Sequence, residues 1–258
     1  MSAPAGRLWL VPNTLDLGTL GGDRPAPDLQ EVLPLGAIRV AAGLGHWVAE
    51  NARSARALLK RVDAVVPLAQ PLQAVSIREL PRPPKGRGAA VPAADLAALL
   101  VPALAGHDLG LVSEAGLPAV ADPGAELVRA AHARGLAVMP LSGPSALILA
   151  VAASGLNGQS FAFVGYLPTE AGERARRLRE LEAHARRWRQ TQLLIETPYR
   201  NAAMLEALLA VLQPGTWLSV AVGLTLEGGS VRTRTVAQWR EAPPALPADV
   251  PAVFAFLP

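Results

Sequence analysis

The sequence predicts an α/β fold made of two α/β domains with mostly parallel sheets. Short apolar runs of strand length alternate with segments of helical periodicity along the whole chain. Several of these runs are followed by loops of Gly, Pro and small residues. Alternating strands and helices are typical of βαβ units, and continuous apolar strands are typical of sheets buried on both faces.

The first half of the chain contains four apolar runs and three helical segments. Strands are predicted at residues 7–12, 46–50, 74–77 and 109–113, and helices at residues 28–44, 52–61 and 93–105. The first helix should break near Pro34 and Gly36, because both residues interrupt helices. Residues 13–27 are predicted to form a loop rich in Gly, Pro and Asp. Residues 81–92 should be irregular because four prolines and two glycines fall within them.

The second half alternates more regularly. Helices are predicted at residues 124–134, 145–154, 172–189 and 201–212, and strands at residues 136–141, 161–164, 192–196, 217–223 and 252–257. Gly228 and Gly229 indicate a hairpin turn. The Asp122-Pro123-Gly124 turn indicates the domain boundary, which divides the chain into residues 1–121 and 122–258.

Composition narrows the class of protein. Of the 258 residues, 51% are hydrophobic and 17% charged, which supplies ample core and argues against overall disorder. The absence of Cys excludes disulfides, thiolate metal sites and a Cys nucleophile. His107 and His132 have no partners at metal-ligand spacing, so we expect no metal. Because no apolar run reaches the length of a signal peptide or membrane span, we expect a cytoplasmic protein without membrane association.

The basic residues are almost all arginines. The formal charge is only +3, and Lys60 and Lys85 are the only lysines. Residues 174–189 contain seven arginines with interspersed glutamates, which fits either a phosphate-binding surface or a solvated helix face. A second basic candidate lies in the Pro-rich loop, at Arg82, Lys85 and Arg87. Compositional bias of the source genome is the alternative explanation for the arginines.

Two glycine loops suggest a ligand. Residues 113–124 read S-E-A-G-L-P-A-V-A-D-P-G and residues 140–146 read P-L-S-G-P-S-A, and each loop follows a predicted strand. Glycine lets the backbone approach a ligand closely. Ser145 is placed to cap the following helix, with Pro144 in its first turn. Two such loops separated by one helix predict a nucleotide-like ligand at the carboxyl ends of parallel strands.

These loops are part of a resemblance to a known family. Together with G-Y-L-P at residues 165–168 and I-E-T-P-Y-R at residues 195–200, they match the order and spacing of motifs in the tetrapyrrole methylase superfamily. Within it, the chain resembles the ribosomal RNA small-subunit methyltransferase I branch, the 16S rRNA cytidine 2′-O-methyltransferases. The resemblance implies an S-adenosylmethionine (SAM) dependent methyltransferase, with its cofactor in a cleft between two α/β domains. It also implies a homodimer that acts on ribosomal RNA or the small ribosomal subunit.

The resemblance also implies site residues. Cofactor-binding positions carried over from the matching motifs are Pro12, Ser113, Glu114, Ala115, Gly116, Ser142, Gly143, Pro144, Ser145, Thr197 and Thr225. Methyl transfer from a sulfonium mainly requires alignment of donor and acceptor, and a hydroxyl acceptor also benefits from a base. The candidate bases are Glu50, Glu79 and Glu196. Glu196 and Arg200 match charged family positions but would equally suit a structural ion pair.

Several polar positions of the RNA-methylating branch have changed. Glu114 replaces an Asp, residues 76–80 read S-I-R-E-L where the family has H-D-H-N-E, and residues 221–226 read A-V-G-L-T-L where it has A-R-E-L-T-K. Residues 46–53 keep Glu50 and Arg53 of an A-E-D-T-R motif. The cofactor loops are therefore retained while the acceptor side is altered. Two alternatives follow: a methylase of a tetrapyrrole or other small molecule, and a catalytically impaired SAM-binding or regulatory protein.

Overall fold

A computed structural model describes residues 4–16, 26–81 and 92–258. The chain divides into two compact units, Met1–Pro144 and Ser145–Pro258. Each unit has its own five-stranded sheet.

The sheet of the first unit is parallel throughout. Its strands lie in the order β3-β2-β4-β1-β5, and every neighbouring pair is parallel. The strands are β1 (Leu8–Leu10), β2 (His46–Ala49), β3 (Ser76–Glu79), β4 (Leu109–Val112) and β5 (Val138–Pro140). In a parallel sheet all strand ends of one kind meet at one edge, so the loops that follow these strands are brought together.

Helices cover both faces of this sheet. They are α1 (Leu29–Val32), α2 (Leu35–Gly43), α3 (Ala52–Val65), α4 (Ala93–Leu99), α5 (Val101–Leu104) and α6 (Ala125–His132). Helices α1 to α3 pack in one apolar cluster with Trp47 and Val112, and α4 to α6 pack in another with Leu8 and Leu111. The helices that follow β1 and the helix that follows β4 thus pack on opposite faces of the sheet. The chain therefore leaves these two neighbouring strands in opposite directions. Such a point is where open α/β sheets bind ligands.

Local sequence explains where these helices begin and break. Pro34 separates α1 from α2 as predicted. It lies directly before Leu35, the first residue of α2, and a proline cannot continue the preceding helix. Asn51 caps α3 by accepting hydrogen bonds from the amides of Arg53 and Ser54. The predicted helix 93–105 is divided into α4 and α5 at Leu100, and Pro102 stands in the first turn of α5.

The sheet of the second unit is mixed. Its order is β6-β7-β10-β8-β9, and only β6 and β7 are parallel. The strands are β6 (Phe161–Phe163), β7 (Thr191–Glu196), β8 (Trp217–Val222), β9 (Ser230–Thr235) and β10 (Ala252–Leu257). The α/β class is confirmed, but the expectation of mostly parallel sheets holds for the first sheet alone. The hairpin β8–β9 and the return of β10 between β7 and β8 make the second sheet antiparallel.

Four helices belong to the second unit: α7 (Ala146–Ser154), α8 (Ala171–Trp188), α9 (Asn201–Val211) and α10 (Val236–Glu241). Helices α8 to α10 pack with Phe254 and Phe256 on one face of the sheet, and α7 packs with Val253 and Ala255 on the other. Because successive residues of β10 point to opposite faces, this one apolar strand serves both clusters.

The domain boundary differs from the predicted one. Strand β5 pairs with β1, and Leu127 and Ala131 of α6 are buried in the first unit's core. The elements that follow Asp122 therefore complete the first sheet. The structure moves the boundary from residue 122 to Ser145.

Two further results concern the predicted elements. Strand β3 begins two residues later than expected because Leu72–Ala74 forms a 3₁₀ turn. The irregular segment predicted at 81–92, with Arg82, Lys85 and Arg87, falls almost entirely outside the described residues. Within the described ranges, no helix has the length and apolar character needed to span a membrane.

Candidate functional site

The loops after β1, β4 and β5 converge at the carboxyl edge of the first sheet. Strand β1 lies between β4 and β5, so its loop contacts both of the others. The amide of Val11 donates to the Leu111 carbonyl, and the amide of Leu141 donates to the Leu10 carbonyl. These bonds extend the strand pairing into the loops and fix their separation.

Asn13 joins the β1 loop to the β4 loop. Its backbone amide donates to the Gly116 carbonyl at 2.8 Å. Its side-chain Nδ2 donates to the carbonyls of Ser113 at 3.1 Å and Glu114 at 3.0 Å. Asn13 is buried, so these bonds satisfy carbonyls that have little access to water. The first glycine loop is therefore held in one conformation from its beginning to Gly116.

Gly116 and Gly143 are required by the geometry of the loops. Gly116 has φ +64°, and a Cβ there would lie 3.3 Å from Leu15 Cδ2 and 3.4 Å from the Pro144 carbonyl oxygen. A Cβ on Gly143 would collide with the Pro12 ring. The three loops thus approach one another as closely as their backbones allow.

Three main-chain amides in these loops have no hydrogen-bond partner among the described residues. The N–H groups of Ala115, Ser142 and Gly143 make no hydrogen bond to any described residue. Ser142 is exposed and Gly143 is half-buried. Amides that the fold leaves without a partner at a close backbone approach can bind the polar groups of a ligand.

Carboxylates lie beside the β4 loop. Glu50 Oε2 accepts the amide of Glu114 at 3.1 Å, and Glu114 Oε1 accepts the hydroxyl of Ser54 at 3.0 Å. The longer side chain at residue 114, where the family has Asp, therefore reaches helix α3. Burial, followed by repulsion from Glu50, raises the pKa of Asp122 to about 6, although the Ser113 hydroxyl opposes the shift.

The three predicted bases have different surroundings. Glu50 uses one oxygen to hold the β4 loop, and its other oxygen makes no hydrogen bond with a described residue. Glu79 accepts the amide of Ala52 at 2.8 Å and so binds the beginning of α3. Glu196 is buried, pairs with Arg200 at 3.1 Å and accepts the amide of Thr197 at 2.9 Å. Glu79 and Glu196 are therefore engaged in structural contacts, as the ion-pair alternative expected for Glu196.

Three predicted cofactor residues belong to the second unit. Thr197 follows β7 and Thr225 follows β8, and these two strands run in the same direction on either side of β10. Thr225 has φ +68°, a strained conformation for a β-branched residue. Ser145 precedes α7 at the capping position, but its side chain makes no capping hydrogen bond. The expectation that it satisfies the first amides of that helix is therefore wrong, and Pro144 lies before the helix.

Ser113 in the β4 loop and Pro12 in the β1 loop, both predicted cofactor residues, make local contacts within the protein. The Ser113 hydroxyl donates to the Ala115 carbonyl at 3.0 Å and is buried, so it shapes the loop from within. Pro12 packs against Gly143.

Sequence reasoning missed Asn13, Asp122 and an ion pair of the β1 loop. Asp16 accepts from Arg61 at 2.8 Å, and this pair fixes the β1 loop against α3. Asn13 directly follows a predicted strand and Pro12, which was a usable signal for a side chain that bonds to neighbouring backbone. Asp122 was visible as part of a turn, but its proximity to Glu50 depends on tertiary structure. No cluster of three metal-ligating side chains occurs in the part of the chain that the structure describes.

Comparison with known proteins identifies the family. The sequence model of the tetrapyrrole (corrin/porphyrin) methylases matches residues 40–239, more than three quarters of the chain. The chain therefore belongs to the tetrapyrrole methylase family.

Two curated relatives carry the name ribosomal RNA small subunit methyltransferase I. The protein of Halalkalibacterium halodurans is 32% identical over 188 residues, which are 73% of this chain and 58% of the relative. The protein of Streptococcus pyogenes is 31% identical over 206 residues, 80% of this chain and 61% of the relative. The chain spans less than two thirds of the length of these relatives.

Solved structures support the fold. A putative cobalamin synthesis related protein (CobF) from Corynebacterium diphtheriae matches with a TM-score of 0.56 at 14% identity, covering 99% of both chains. The uroporphyrin-III-C-methyltransferase from Thermus thermophilus matches with a TM-score of 0.51 at 20% identity, covering 98% of this chain and 92% of the other. At such identities the match concerns the fold alone.

Proposed function

We propose that this protein is a SAM-dependent methyltransferase that methylates a ribose 2′-hydroxyl of ribosomal RNA. The observation that carries the proposal is the convergence of three loops at the β1/β4 edge, with two close-approach glycines and unpartnered amides. Membership of the methylase family and the names of the curated relatives support the choice of cofactor and acceptor.

The first unit fits the cofactor through its backbone. The amides of Ala115, Ser142 and Gly143 would hold polar groups of SAM, and Pro12 would border its site. When bound, SAM would supply a methyl group on its sulfonium sulfur, and the thioether that leaves as the carbon–sulfur bond breaks needs no acid. The protein then has to hold the acceptor in line, and such positioning contributes about 7–11 kcal/mol in well-oriented systems.

Glu50 is the best proton acceptor among the predicted bases. Glu50 bonds the β4 loop itself and keeps one oxygen without a partner among the described residues. Glu79 instead binds the beginning of α3, and Glu196 lies in the second unit and pairs with Arg200. We therefore assign Glu50 the role of accepting the ribose hydroxyl proton, directly or through one water.

Calorimetry with S-adenosylhomocysteine (SAH) tests the cofactor site. The parent protein should bind SAH, and Gly143→Ala should weaken binding at least tenfold because its Cβ displaces the β1 loop. Gly36→Ala is the matched control, since a Cβ at Gly36 meets nothing within 4 Å. No SAH binding by the parent, or equal binding by both variants, would contradict the proposed site.

A methylase acting on a tetrapyrrole or another small molecule is the second candidate. The RNA-methylating branch has H-D-H-N-E where this chain has S-I-R-E-L, and the acid in this segment, Glu79, binds the beginning of α3. This change on the acceptor side favours the second candidate. Incubation with SAM and small ribosomal subunits, followed by mass spectrometry of the RNA, separates the two. Methylated RNA supports the first candidate. SAH binding without transfer to RNA or to porphyrin and corrin acceptors supports the third alternative, a SAM-binding protein without catalysis.

The homodimer stays a prediction carried by the resemblance, and the cytoplasmic location stays a prediction from the composition of the chain. Light scattering coupled to size-exclusion chromatography tests the dimer. A mass near twice 26.9 kDa is expected.

A further inference from the structure

The C-terminal end of helix α8 carries an exposed group of cationic and aromatic side chains. The helix packs on the second sheet through a buried stripe that includes Leu178, Leu181 and Ala185. The residues at its end that face solvent are His184, Arg186, Arg187, Trp188 and Arg189. We call these five residues the Arg–Trp patch.

The charge of the patch is unbalanced, whereas two arginines of the preceding turns have an acidic partner. Arg176 and Arg177 both pair with Glu180, at 4.0 and 3.3 Å. Arg186, Arg187 and Arg189 have no ion pair with any described residue. No acidic residue occurs from residue 183 to 190. A partner for this surface should therefore be an anion.

The aromatic member points to the kind of anion. Trp188 is 58% exposed, so its ring is accessible to a planar partner. The Arg187 guanidinium lies 5.1 Å from its ring centroid, and the ring of His184 lies 6.4 Å away. Bases of single-stranded nucleic acids stack on such exposed rings and on arginine planes, while their phosphates bind neighbouring arginines.

The backbone at Arg189 gives an independent indication. Arg189 ends the helix in the left-handed conformation, φ +50°, where glycine is the favoured residue. Its carbonyl accepts the Asn157 side-chain amide at 2.6 Å, which holds this strained residue in place. Residues held in sparsely populated backbone conformations cluster at functional sites.

We propose that the Arg–Trp patch binds a single-stranded segment of RNA. One base stacks on Trp188, and the adjoining phosphates contact Arg186, Arg187 and Arg189. An acidic protein segment would satisfy the charges but would leave the indole without a planar partner, so RNA fits the whole group better. The inference rests on the proposed function in taking RNA as the acceptor. It assigns a contact that the cofactor loops do not provide.

Fluorescence anisotropy with a fluorescein-labelled single-stranded RNA of 12 nucleotides tests this inference. Arg186→Gln/Arg187→Gln should weaken binding at least tenfold. It should also lower the slope of log K against log salt by about 1.4, the change expected when two phosphate contacts to a single strand are lost. Arg176→Gln/Arg177→Gln is the matched control, because it removes the same charge from the same helix; it should change binding less than threefold. Trp188→Ala should weaken binding at least fivefold, and Trp188→Phe should retain most of it.

Several outcomes would overturn the inference. Equal losses in the two double variants would show that only overall charge matters, and unchanged binding by Trp188→Ala would exclude stacking. Full competition by a poly-glutamate peptide at equal charge concentration would favour an acidic protein partner. Because all these positions are exposed, each variant should fold like the parent, and circular dichroism checks this.

SAH calorimetry on the same variants separates the two proposals. RNA binding that depends on the patch, together with no SAH binding, refutes the proposed function alone. SAH binding with patch-independent RNA binding refutes this inference alone.

Discussion

At the scale of single residues, the candidate site depends on side chains that shape backbone. Asn13 bonds three groups of the β4 loop, and Glu50 bonds a fourth at the Glu114 amide. The conformation of the glycine loop is thus determined by residues distant in sequence. Their removal should weaken cofactor binding without touching the cofactor.

Replacing Asn13 by Ala should destabilise the protein and the site together. The buried carbonyl of Ser113 and the half-buried carbonyl of Glu114 lose their donor, and an unsatisfied buried group costs about 1–3 kcal/mol. Urea unfolding should show this loss, and SAH affinity should fall at least fivefold. Ser54→Ala is the control, since it removes only a half-buried contact to Glu114 and should cost less than about 1 kcal/mol. An Asn13→Ala variant as stable as the parent would contradict the role given to Asn13.

Asp122 should make stability depend on pH. Its folded-state pKa is raised from 3.8 to about 6 by burial and by Glu50. The protonated carboxyl therefore favours the folded state, and this contribution is complete below about pH 4 and lost as the pH rises through about 6. Asp122→Asn should match the parent near pH 4 and exceed its free energy of unfolding at pH 7.5.

Urea unfolding at half-unit steps from pH 4 to 7.5 measures this effect. Asp95→Asn, an exposed carboxyl in the first turn of α4, serves as the charge-matched control and should keep the parent's pH dependence. If Asp122→Asn keeps it as well, the carboxyl at residue 122 is not responsible.

At the scale of elements, helices α3 and α10 begin with the capping contacts that their sequences favour. Asn51 and Glu79 bind the beginning of α3, and Thr235 and Gln238 form a capping box on α10. Arg189 departs from this pattern because a non-glycine residue holds the left-handed end of α8. The capping residues of α3 and α10 stabilise their helices, whereas Arg189 contributes its side chain to the Arg–Trp patch.

Arg189→Gly should therefore stabilise the protein while weakening RNA binding. The left-handed conformation costs a non-glycine residue about 1 kcal/mol, so a gain of roughly 0.5–1 kcal/mol in the free energy of unfolding is expected. Arg186→Gly within the same helix should do the opposite and lose about 0.5–1 kcal/mol. Thermal and urea unfolding measure both. Destabilisation by Arg189→Gly would show that its side chain supports the fold.

At the scale of the whole molecule, the two units use different kinds of sheet. The parallel sheet of the first unit gathers three loops at one edge, because all its strands end there. The second sheet is largely antiparallel, so the beginnings of β9 and β10 lie at the edge where β6, β7 and β8 end. The first unit is therefore the one whose architecture favours a nucleotide-like ligand.

Hydrogen exchange with and without SAH should locate the ligand in the whole chain. Saturating SAH should slow exchange in the loops at 12–16, 113–116 and 141–144, because bound amides are protected. Helix α8 is the internal control, and its exchange should be unchanged. Protection at residues 196–198 or 223–226 would support the predicted roles of Thr197 and Thr225. Protection absent from all three loops of the first unit would contradict the cofactor site.

Local sequence patterns were enough to predict the α/β class, nearly all strands, the helix break at Pro34 and the two glycine loops. These features follow from local periodicity and from the limited backbone freedom of Pro and Gly. Tertiary structure alone decided the insertion of β10 between β7 and β8, the boundary at Ser145 and the contacts of Glu50, Glu79 and Glu196. Each of these depends on which distant segments pair, and an apolar strand has the same pattern in either direction.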